Sequence, residues 1–407
     1  MKEKKKFWTL RYTLINMMYF AAFCTIHAYA NAIMTNKGFT TTQIGIMLAI
    51  ANIVSVIGQP VVAGIIDKSR TITNRRVIMI SSLILLIGSA LLLVIDNSKA
   101  IIFIIYALIY ALQFVYQPMM IAMSFEYQAA GCKINFGLSR GMGSAGFAFT
   151  ALFLGMWVNN AADSSKVIEY IPYVSIVVLA IMIVITFFFR LPDEYSVNDL
   201  NENSESEGQP TNNIFAFIKK YPKYMLFLLG GACCFFAHNL INDFMIQIIN
   251  NLNIDEAHLG YSNFYQAILE LPMMAISGLL LKKFNIKITL IFTSVAFFVK
   301  TLIMYFAVGI GGLYISQSFQ FFAYALFIPA AAYYSDKVME KYDMVKGQAL
   351  ISCFITISAV FSSLVGGKIL DSYEGTSGVG PMLFTGLIVA GVGVVITVLS
   401  MVGKSEN

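Results

Sequence analysis

Long apolar stretches separated by short polar turns run along almost the whole chain. Each stretch carries almost no charged residue and has the length of about 20 residues that an α-helix needs to cross a hydrocarbon core of roughly 30 Å. The pattern predicts an all-α membrane protein with twelve transmembrane helices. These are expected over residues 13–34, 44–66, 77–95, 100–123, 140–161, 168–190, 224–250, 259–281, 287–308, 312–334, 347–367 and 378–402.

One polar segment, residues 191–219, interrupts this rhythm and contains six acidic residues among Asn, Ser, Gly and Pro. Such a composition buries too little apolar surface to fold by itself, so we predict a flexible linker. A short surface helix is expected over Ile214–Lys220. The predicted domains are an N-terminal six-helix bundle over 1–190, a cytoplasmic linker over 191–220 and a C-terminal six-helix bundle over 221–407. A shared spacing of 22 residues, from Gly45 to Asp67 and from Gly260 to Lys282, supports duplicated halves.

Composition and charge agree with this architecture. The chain is 58% hydrophobic and 12% charged with a mean hydropathy of +0.74, whereas soluble domains carry about 25% charged residues. With both termini in the cytoplasm, 22 of the 27 basic residues fall on the inner side, four fall outside, and Lys300 lies within a span. This bias indicates a multi-pass protein of the plasma (cytoplasmic) membrane. The net charge of +5 therefore reflects orientation, and no nucleic-acid partner is expected. The five cysteines show no metal-ligand spacing, so neither a metal site nor a cofactor is expected.

The turn after the second predicted span reads Gly64-Ile-Ile-Asp67-Lys68-Ser69-Arg70 and is followed by Arg75-Arg76. It resembles the signature loop of the major facilitator superfamily, although Ser69 and Arg70 stand where that family often has a Gly. The resemblance implies two pseudo-symmetric six-helix bundles that expose a midplane site alternately to either side. It also implies a cytoplasmic gate formed by Gly64, Asp67, Lys68, Arg75 and Arg76. Gly64 would allow close helix approach, and Asp67 would accept hydrogen bonds from a helix N-terminus or an Arg. A merely basic cytoplasmic loop is the alternative.

A second motif opens the fifth span and reads Phe136-Gly137-Leu-Ser-Arg140-Gly-Met-Gly143-Ser144-Ala-Gly146-Phe147. It resembles the oligosaccharide:proton symporters related to lactose permease and the neighbouring nucleoside symporters. The resemblance implies that Arg140 and Phe147 bind substrate. A guanidinium suits vicinal hydroxyls or a carboxylate, and Phe147 lies about two turns beyond Arg140 on the same face. Lactose permease has a Trp at the place of Phe147 and a carboxylate partner for this Arg. That carboxylate would fall at Ala122 in this sequence. Glu126, one turn further on, is therefore the candidate partner of Arg140. The alternative is that Glu126 is only a charge at the cytoplasmic end of its helix.

Ionisable side chains within spans are costly and mark functional sites. Glu270 and Lys300 fall in adjacent antiparallel spans, where they would meet in a substrate or coupling site or as a structural ion pair. The tenth span has Gln317, Gln320 and Ala323 where lactose permease has a Lys, a His and a Glu. A titrating group for proton coupling must then lie elsewhere, with Glu270 first and Asp243 second. The ion-coupling candidates are Glu270, Asp243, Lys300 and Glu126, while sodium coupling or uncoupled diffusion stays open.

Polar side chains recur at helical spacing inside several spans and would line a cavity. For the histidines among them there is an alternative, because a membrane His is more often a packed, hydrogen-bonded residue than a proton carrier. The further substrate-binding candidates are His27, Asn31, Gln113, Asn239, Asn242, Gln247, Gln317 and Gln320.

These patterns favour a secondary active transporter, a proton symporter that imports a small polar solute, with sugars or oligosaccharides first. The alternatives are a nucleoside symporter, a drug or metabolite exporter suggested by the 33 Phe and 21 Met residues, and a membrane sensor without transport. No ATP-binding loop or catalytic motif is present in the sequence, so an enzyme is not expected. The expected partners are the solute, a proton or other coupling ion and the lipid bilayer, and a monomer is expected.

Overall fold

A computed structural model describes residues 7–69, 71–191 and 214–402 of the chain. Its first half contains eight α-helices and one π-helical turn. They are α1 Trp8–Phe23, the π-helical turn Cys24–Ala28, α2 Ala30–Asn36, α3 Thr41–Lys68, α4 Asn74–Val94, α5 Lys99–Val115, α6 Gln117–Ala129, α7 Phe136–Asn159 and α8 Ser164–Phe188.

The second half repeats the pattern of long apolar helices. They are α9 Ile214–Lys220, α10 Pro222–Asp243, α11 Met245–Asn251, α12 His258–Lys283, α13 Ile286–Tyr305, α14 Gly309–Ser318, a 3₁₀ turn Phe319–Phe321, α15 Tyr324–Val338, α16 Lys341–Asp371 and α17 Val379–Met401. The predicted surface helix over Ile214–Lys220 is confirmed as α9.

Several helices begin where a polar side chain caps the first turn. Asn135 accepts a hydrogen bond from the backbone N–H of Leu138 at 3.0 Å and so starts α7. Thr73 caps α4 and Asp163 caps α8 in the same way. These side chains satisfy N–H groups that the first helical turn leaves without intrahelical partners.

Within the described residues, ten helices are long and apolar enough to cross a membrane, and a bent pair, Trp8–Ala28 with Ala30–Asn36, makes eleven if it forms one span. The structure thus confirms an all-helical membrane protein but does not by itself establish twelve spans. The predicted tenth span, 312–334, is divided between α14, the 3₁₀ turn and α15. Each piece alone is shorter than the roughly 17 residues that a span needs.

The chain forms two compact units. The first comprises Met1–Phe39 and Ile50–Glu205, and the second comprises Thr40–Ala49 and Ser206–Asn407. The start of α3 thus belongs by its contacts to the second unit, where Asp371 accepts hydrogen bonds from the backbone N–H groups of Thr41 and Thr42 at 3.0 and 2.7 Å. The glycine Gly45 lies so close to α16 that a Cβ there would overlap the carbonyl oxygen of Ser363.

In the first unit, α1 packs on α7 and α8, while α4 packs on α5, α6 and α8. In the second unit, α10 packs on α13, α16 and α17, and α12 packs on α14 and α15. The exposed apolar side chains along these helices match what contact with lipid requires, because lipid tails are as apolar as the side chains themselves.

The short helix α9 is anchored in the second unit by one aromatic side chain and one cation. Phe217 is fully buried in the core cluster that includes Tyr224, Phe227 and Tyr334. Lys220 Nζ lies 2.7 Å from a carboxylate oxygen of Glu340 and 3.1 Å from one of the buried Asp343. Its hydrogen bond to Glu340 raises the pKa of Lys220 above the usual value.

Candidate functional site

A buried chain of polar contacts crosses the middle of the second unit. Lys300 on α13 donates to Oε1 of Gln320 at 2.8 Å, and Nε2 of Gln320 donates to Glu270 on α12 at 2.7 Å. Lys300 and Gln320 are only 1% and 2% exposed. The expectation that Glu270 and Lys300 lie close together is met, with Gln320 linking the two charged groups.

His238 on α10 extends this network. Its Nδ1 lies 3.5 Å from Lys300 Nζ, and its Nε2 lies 2.9 Å from Nδ2 of Asn242. The ring stacks on Tyr324 with centroids 5.4 Å apart and the planes 19° from parallel. The network therefore joins His238 to four candidate residues from different helices, Asn242, Glu270, Lys300 and Gln320.

Gln320 reaches this place because the tenth apolar stretch is broken. Its 3₁₀ turn, Phe319–Phe321, carries the side chain between α12 and α13, where a continuous helix would have a different register. Irregular backbone at membrane depth is tolerated where it lies inside protein or lines a cavity, and broken helices commonly form transporter binding sites.

Other predicted side chains of the second unit are near this network or face α16. Asp243 accepts a hydrogen bond from Ser363 at 2.9 Å, and Asn239 donates to Ser358 at 3.3 Å. Gln317 is fully buried and its Nε2 contacts the sulfur of Met245 at 3.9 Å. Gln247 lies on α11 just after the break between α10 and α11 and is partly buried.

In the first unit, Arg140 stands over the ring of Phe20, with its guanidinium carbon 4.3 Å from the ring centroid. The ring fits because α7 has Gly143 at the contact, where a Cβ would lie 2.6 Å from Phe20. Gly146 allows a similar approach to the backbone of Met17. The glycine-rich start of α7 thus packs tightly on α1 at these two positions, whereas a Cβ at Gly141 would meet nothing within 4 Å.

Further along α1, a cluster of rings surrounds His27. Its ring lies parallel to Phe23 at 4.0 Å between centroids, 3.8 Å from Tyr110 and 4.5 Å from Phe114. Phe147 joins the edge of the group, 6.5 Å from Phe23. We call these five residues the aromatic cluster.

The remaining candidates of the first unit make structural contacts. Gln113 is fully buried, donates to the carbonyl of Tyr19 at 3.2 Å and so ties α5 to α1. Asn31 accepts from Thr35 at 3.2 Å. Glu126 accepts a hydrogen bond from Asn74. Whether Glu126 also serves Arg140 stays a prediction.

The predicted gate loop has a mixed outcome. A Cβ at Gly64 would meet nothing within 4 Å, so no close helix approach uses this glycine among the residues that the structure describes. Arg75 donates to the carbonyls of Thr186 and Phe187 at 3.3 and 3.2 Å, which places a cation at the negative C-terminal end of α8. Arg76 donates to the carbonyl of Thr71 within its own loop. The side chains of Asp67 and Lys68 lie outside the described residues.

Sequence reasoning did not single out Phe23, Tyr110 and Phe114. The sequence does contain a signal for these three residues. Phe20, Phe23 and His27 follow one another along one face of the first span, and Tyr110 and Phe114 are four residues apart in the fourth span. With 33 Phe and 21 Tyr residues in the chain, that spacing does not stand out from ordinary membrane-helix packing.

Comparison with known proteins identifies the class. The sequence profile of the MFS_1 like family matches residues 8–377. The chain therefore belongs to the MFS_1 like family and is a transporter of the major facilitator superfamily. No curated protein sequence matches it.

Solved structures share the fold over nearly the whole chain. A point variant of the nucleoside transporter NupG superposes with a TM-score of 0.81 at 16% identity, covering 97% of this chain and 99% of the other. A D-xylose-proton symporter gives a TM-score of 0.73 at 13% identity, with 98% and 99% covered. A bacterial homolog of the human lysosomal transporter Spinster gives 0.68 at 12% identity, with 98% of each chain covered. At these identities the similarity establishes the fold.

Proposed function

We propose that the protein is a proton-coupled symporter that imports a small polar solute carrying a sugar or sugar-like polyol. The observation that carries this proposal is the buried network of Lys300, Gln320 and Glu270. An ionisable pair at membrane depth is expensive and is retained where a substrate or proton uses it. A carboxyl group joined to a lysine through one amide can change protonation when a solute displaces that amide.

Polar groups within each unit support a polar solute. In the second unit, amide groups that can both donate and accept suit hydroxyl-bearing ligands. In the first unit, Arg140 presents a planar fork of donors next to an aromatic ring. Sugars and oligosaccharides are the first candidates. A nucleoside is the second, favoured by the aromatic cluster beside Arg140 and by the fold shared with NupG. The greasy ligands of a drug exporter would leave these amides without partners.

We further propose that both termini lie in the cytoplasm and that the protein resides in the plasma membrane. The distribution of basic residues supports this orientation. We also propose that Glu270 is the coupling carboxylate. Asp243 on α10 accepts a hydrogen bond from Ser363 on α16 and has a structural role in this proposal.

Transport in proteoliposomes under an imposed proton gradient tests this assignment. Glu270→Gln should abolish gradient-driven accumulation but preserve solute exchange across the membrane, because the amide keeps the hydrogen bond to Gln320 and cannot titrate. Asp243→Asn is the matched control and should retain more than half of the accumulation. The reverse pattern, with driven uptake intact in Glu270→Gln and lost in Asp243→Asn, would contradict the coupling role of Glu270.

A further inference from the structure

The first span contains a π-helical turn, Cys24–Ala28, followed by a bend of 46° at Tyr29. Short π-helical turns inside α-helices are rare and occur frequently at functional sites. Side chains of two neighbouring helices hold this one. Tyr106 donates to the carbonyl of Ile26 at 2.9 Å, and Ser175 donates to Thr25 at 2.7 Å. The turn is thus a fixed element of the unit and presents His27 at a defined position.

His27 is a polar side chain in an apolar place. Both of its ring nitrogens are buried and have no hydrogen-bond partner among the described residues. A neutral imidazole carries one donor and one acceptor, and burying either without a partner is costly. A Phe would pack between Phe23 and Tyr110 equally well, so packing alone does not account for a histidine here.

The surroundings of His27 define what a partner must look like. Phe23 is stacked on the ring face, and Tyr110 lies against the ring at a tilt of 43°. A ligand therefore meets the His27 ring most readily at an edge. A half-turn about the Cβ–Cγ bond exchanges Nδ1 with Cδ2 and Nε2 with Cε1, and so changes the direction in which each nitrogen points while the ring keeps its plane. Phe23, Phe114 and Phe147 are partly buried and offer ring surface beside that edge. Flat rings pack favourably on such surfaces, and a heterocycle adds hydrogen-bonding atoms in its own plane.

We propose that the aromatic cluster is a subsite for the planar heterocycle of a nucleoside, with Phe23, Phe114 and Phe147 contacting its face and His27 hydrogen-bonding its edge. The sugar of the same molecule then extends along α7 toward Arg140, which stands over Phe20. This proposal rests on the proposed function and narrows the solute to one that carries a nucleobase. A plain sugar lacks the planar heterocycle that the three phenylalanine rings would contact.

Equilibrium binding to the purified full-length protein tests the proposal, with uridine and adenosine as probes and ribose and xylose as sugar controls. His27→Phe keeps the ring and removes the nitrogens. We expect it to weaken nucleoside binding about tenfold, the effect of one hydrogen bond, and to leave the melting temperature equal or higher. His27→Gln should restore part of the affinity because its amide can donate and accept.

A change in the ligand gives the same information without a mutation. A riboside in which phenyl replaces the base keeps the flat ring and loses the polar edge, so wild-type protein should bind it about tenfold more weakly than uridine. Unchanged nucleoside affinity in His27→Phe, or wild-type binding of pentoses but no nucleosides, would overturn the subsite and leave the proposed symport of a polar solute standing. Binding of lipophilic cations alone, with no driven uptake of any polar solute, would overturn both.

Discussion

At the scale of single residues, the network places the almost completely buried Lys300 and Gln320 next to the partly buried Glu270. Removing one partner of a buried pair leaves the other charge without compensation, whereas replacing both by neutral side chains is often tolerated. The network is therefore a sensitive point for stability as well as for transport.

Lys300→Met should lower the free energy of unfolding by about 3–5 kcal/mol, because Glu270 and Gln320 then lose their buried cation. The double variant Lys300→Met with Glu270→Gln should recover most of this loss, which thermal unfolding in detergent can measure. Lys282→Met, at an exposed position, is the control and should change stability by about 0.5 kcal/mol or less. A double variant as unstable as Lys300→Met alone would argue against direct coupling of the two charges.

The proximity of Glu270 and Lys300 followed from the sequence, since adjacent antiparallel spans bring residues at matching depth together. The place of Gln320 between them did not. It depends on a 3₁₀ turn in the middle of an apolar stretch, and hydropathy responds to residue type rather than to the backbone hydrogen-bond pattern. His27 was a candidate by type, but the other rings of the aromatic cluster come from α1, α5 and α7, which no local sequence pattern relates.

At the scale of elements, α9 joins the segment between the halves to the second unit through very few side chains. Its fully buried Phe217 and its cation Lys220 both contact the region around α15 and α16. A seven-residue helix is too short to be stable alone, so tertiary contacts must hold it.

Phe217→Ala should destabilise the docking of α9 by about 3–5 kcal/mol, because it removes a large side chain from a packed core. The measurement is the rate of tryptic cleavage after Lys219, which should rise as α9 detaches. Ile218→Ala is the matched control on the same helix, since Ile218 is 39% exposed. Equal cleavage of both variants would show that Phe217 does not anchor the helix.

Most helices coincide with predicted spans to within a few residues, and α9 was predicted with its observed bounds. The interruptions were not predicted, namely the π-helical turn in the first span, the break at Tyr116, the break at Phe244 and the turn after α14. The π-helical turn is held by contacts between distant parts of the chain, such as the hydrogen bond from Tyr106 to the carbonyl of Ile26. Local composition contains no record of such contacts.

At the scale of the whole molecule, the residues of α3 are divided between the two compact units. Its first residues belong to the second unit and contact α16, while its later residues belong to the first unit. Gly45 and Gly64 therefore form a natural pair of probes on one helix, one closely packed and one with open space around it.

Gly45→Ala should destabilise the protein, because its Cβ would overlap the carbonyl oxygen of Ser363 and force α16 away. Gly64→Ala should leave the melting temperature equal or raise it, since Ala favours a helix by about 1 kcal/mol over Gly. Thermal unfolding of both variants separates these outcomes. If Gly64→Ala nevertheless stops transport, the gate motif needs its glycine in another conformation of the cycle. Equal stability of Gly45→Ala and wild type would contradict the close contact.

The π-helical turn has a consequence for how the first span tolerates insertions and deletions. Each residue of an α-helix advances the direction of its side chain by about 100°. A π-helical turn holds one residue more than an α-helical turn, because its hydrogen bonds join residues five apart instead of four. Deleting one residue between Cys24 and Ala28 would let the backbone close as an ordinary α-helix and leave the faces before and after the turn in nearly their present phase. An inserted residue has no such outlet and would rotate the following residues by about 100°. A one-residue deletion here therefore removes the turn and keeps the flanking faces, whereas a substitution alters the chemistry of the turn, and the two can be varied separately.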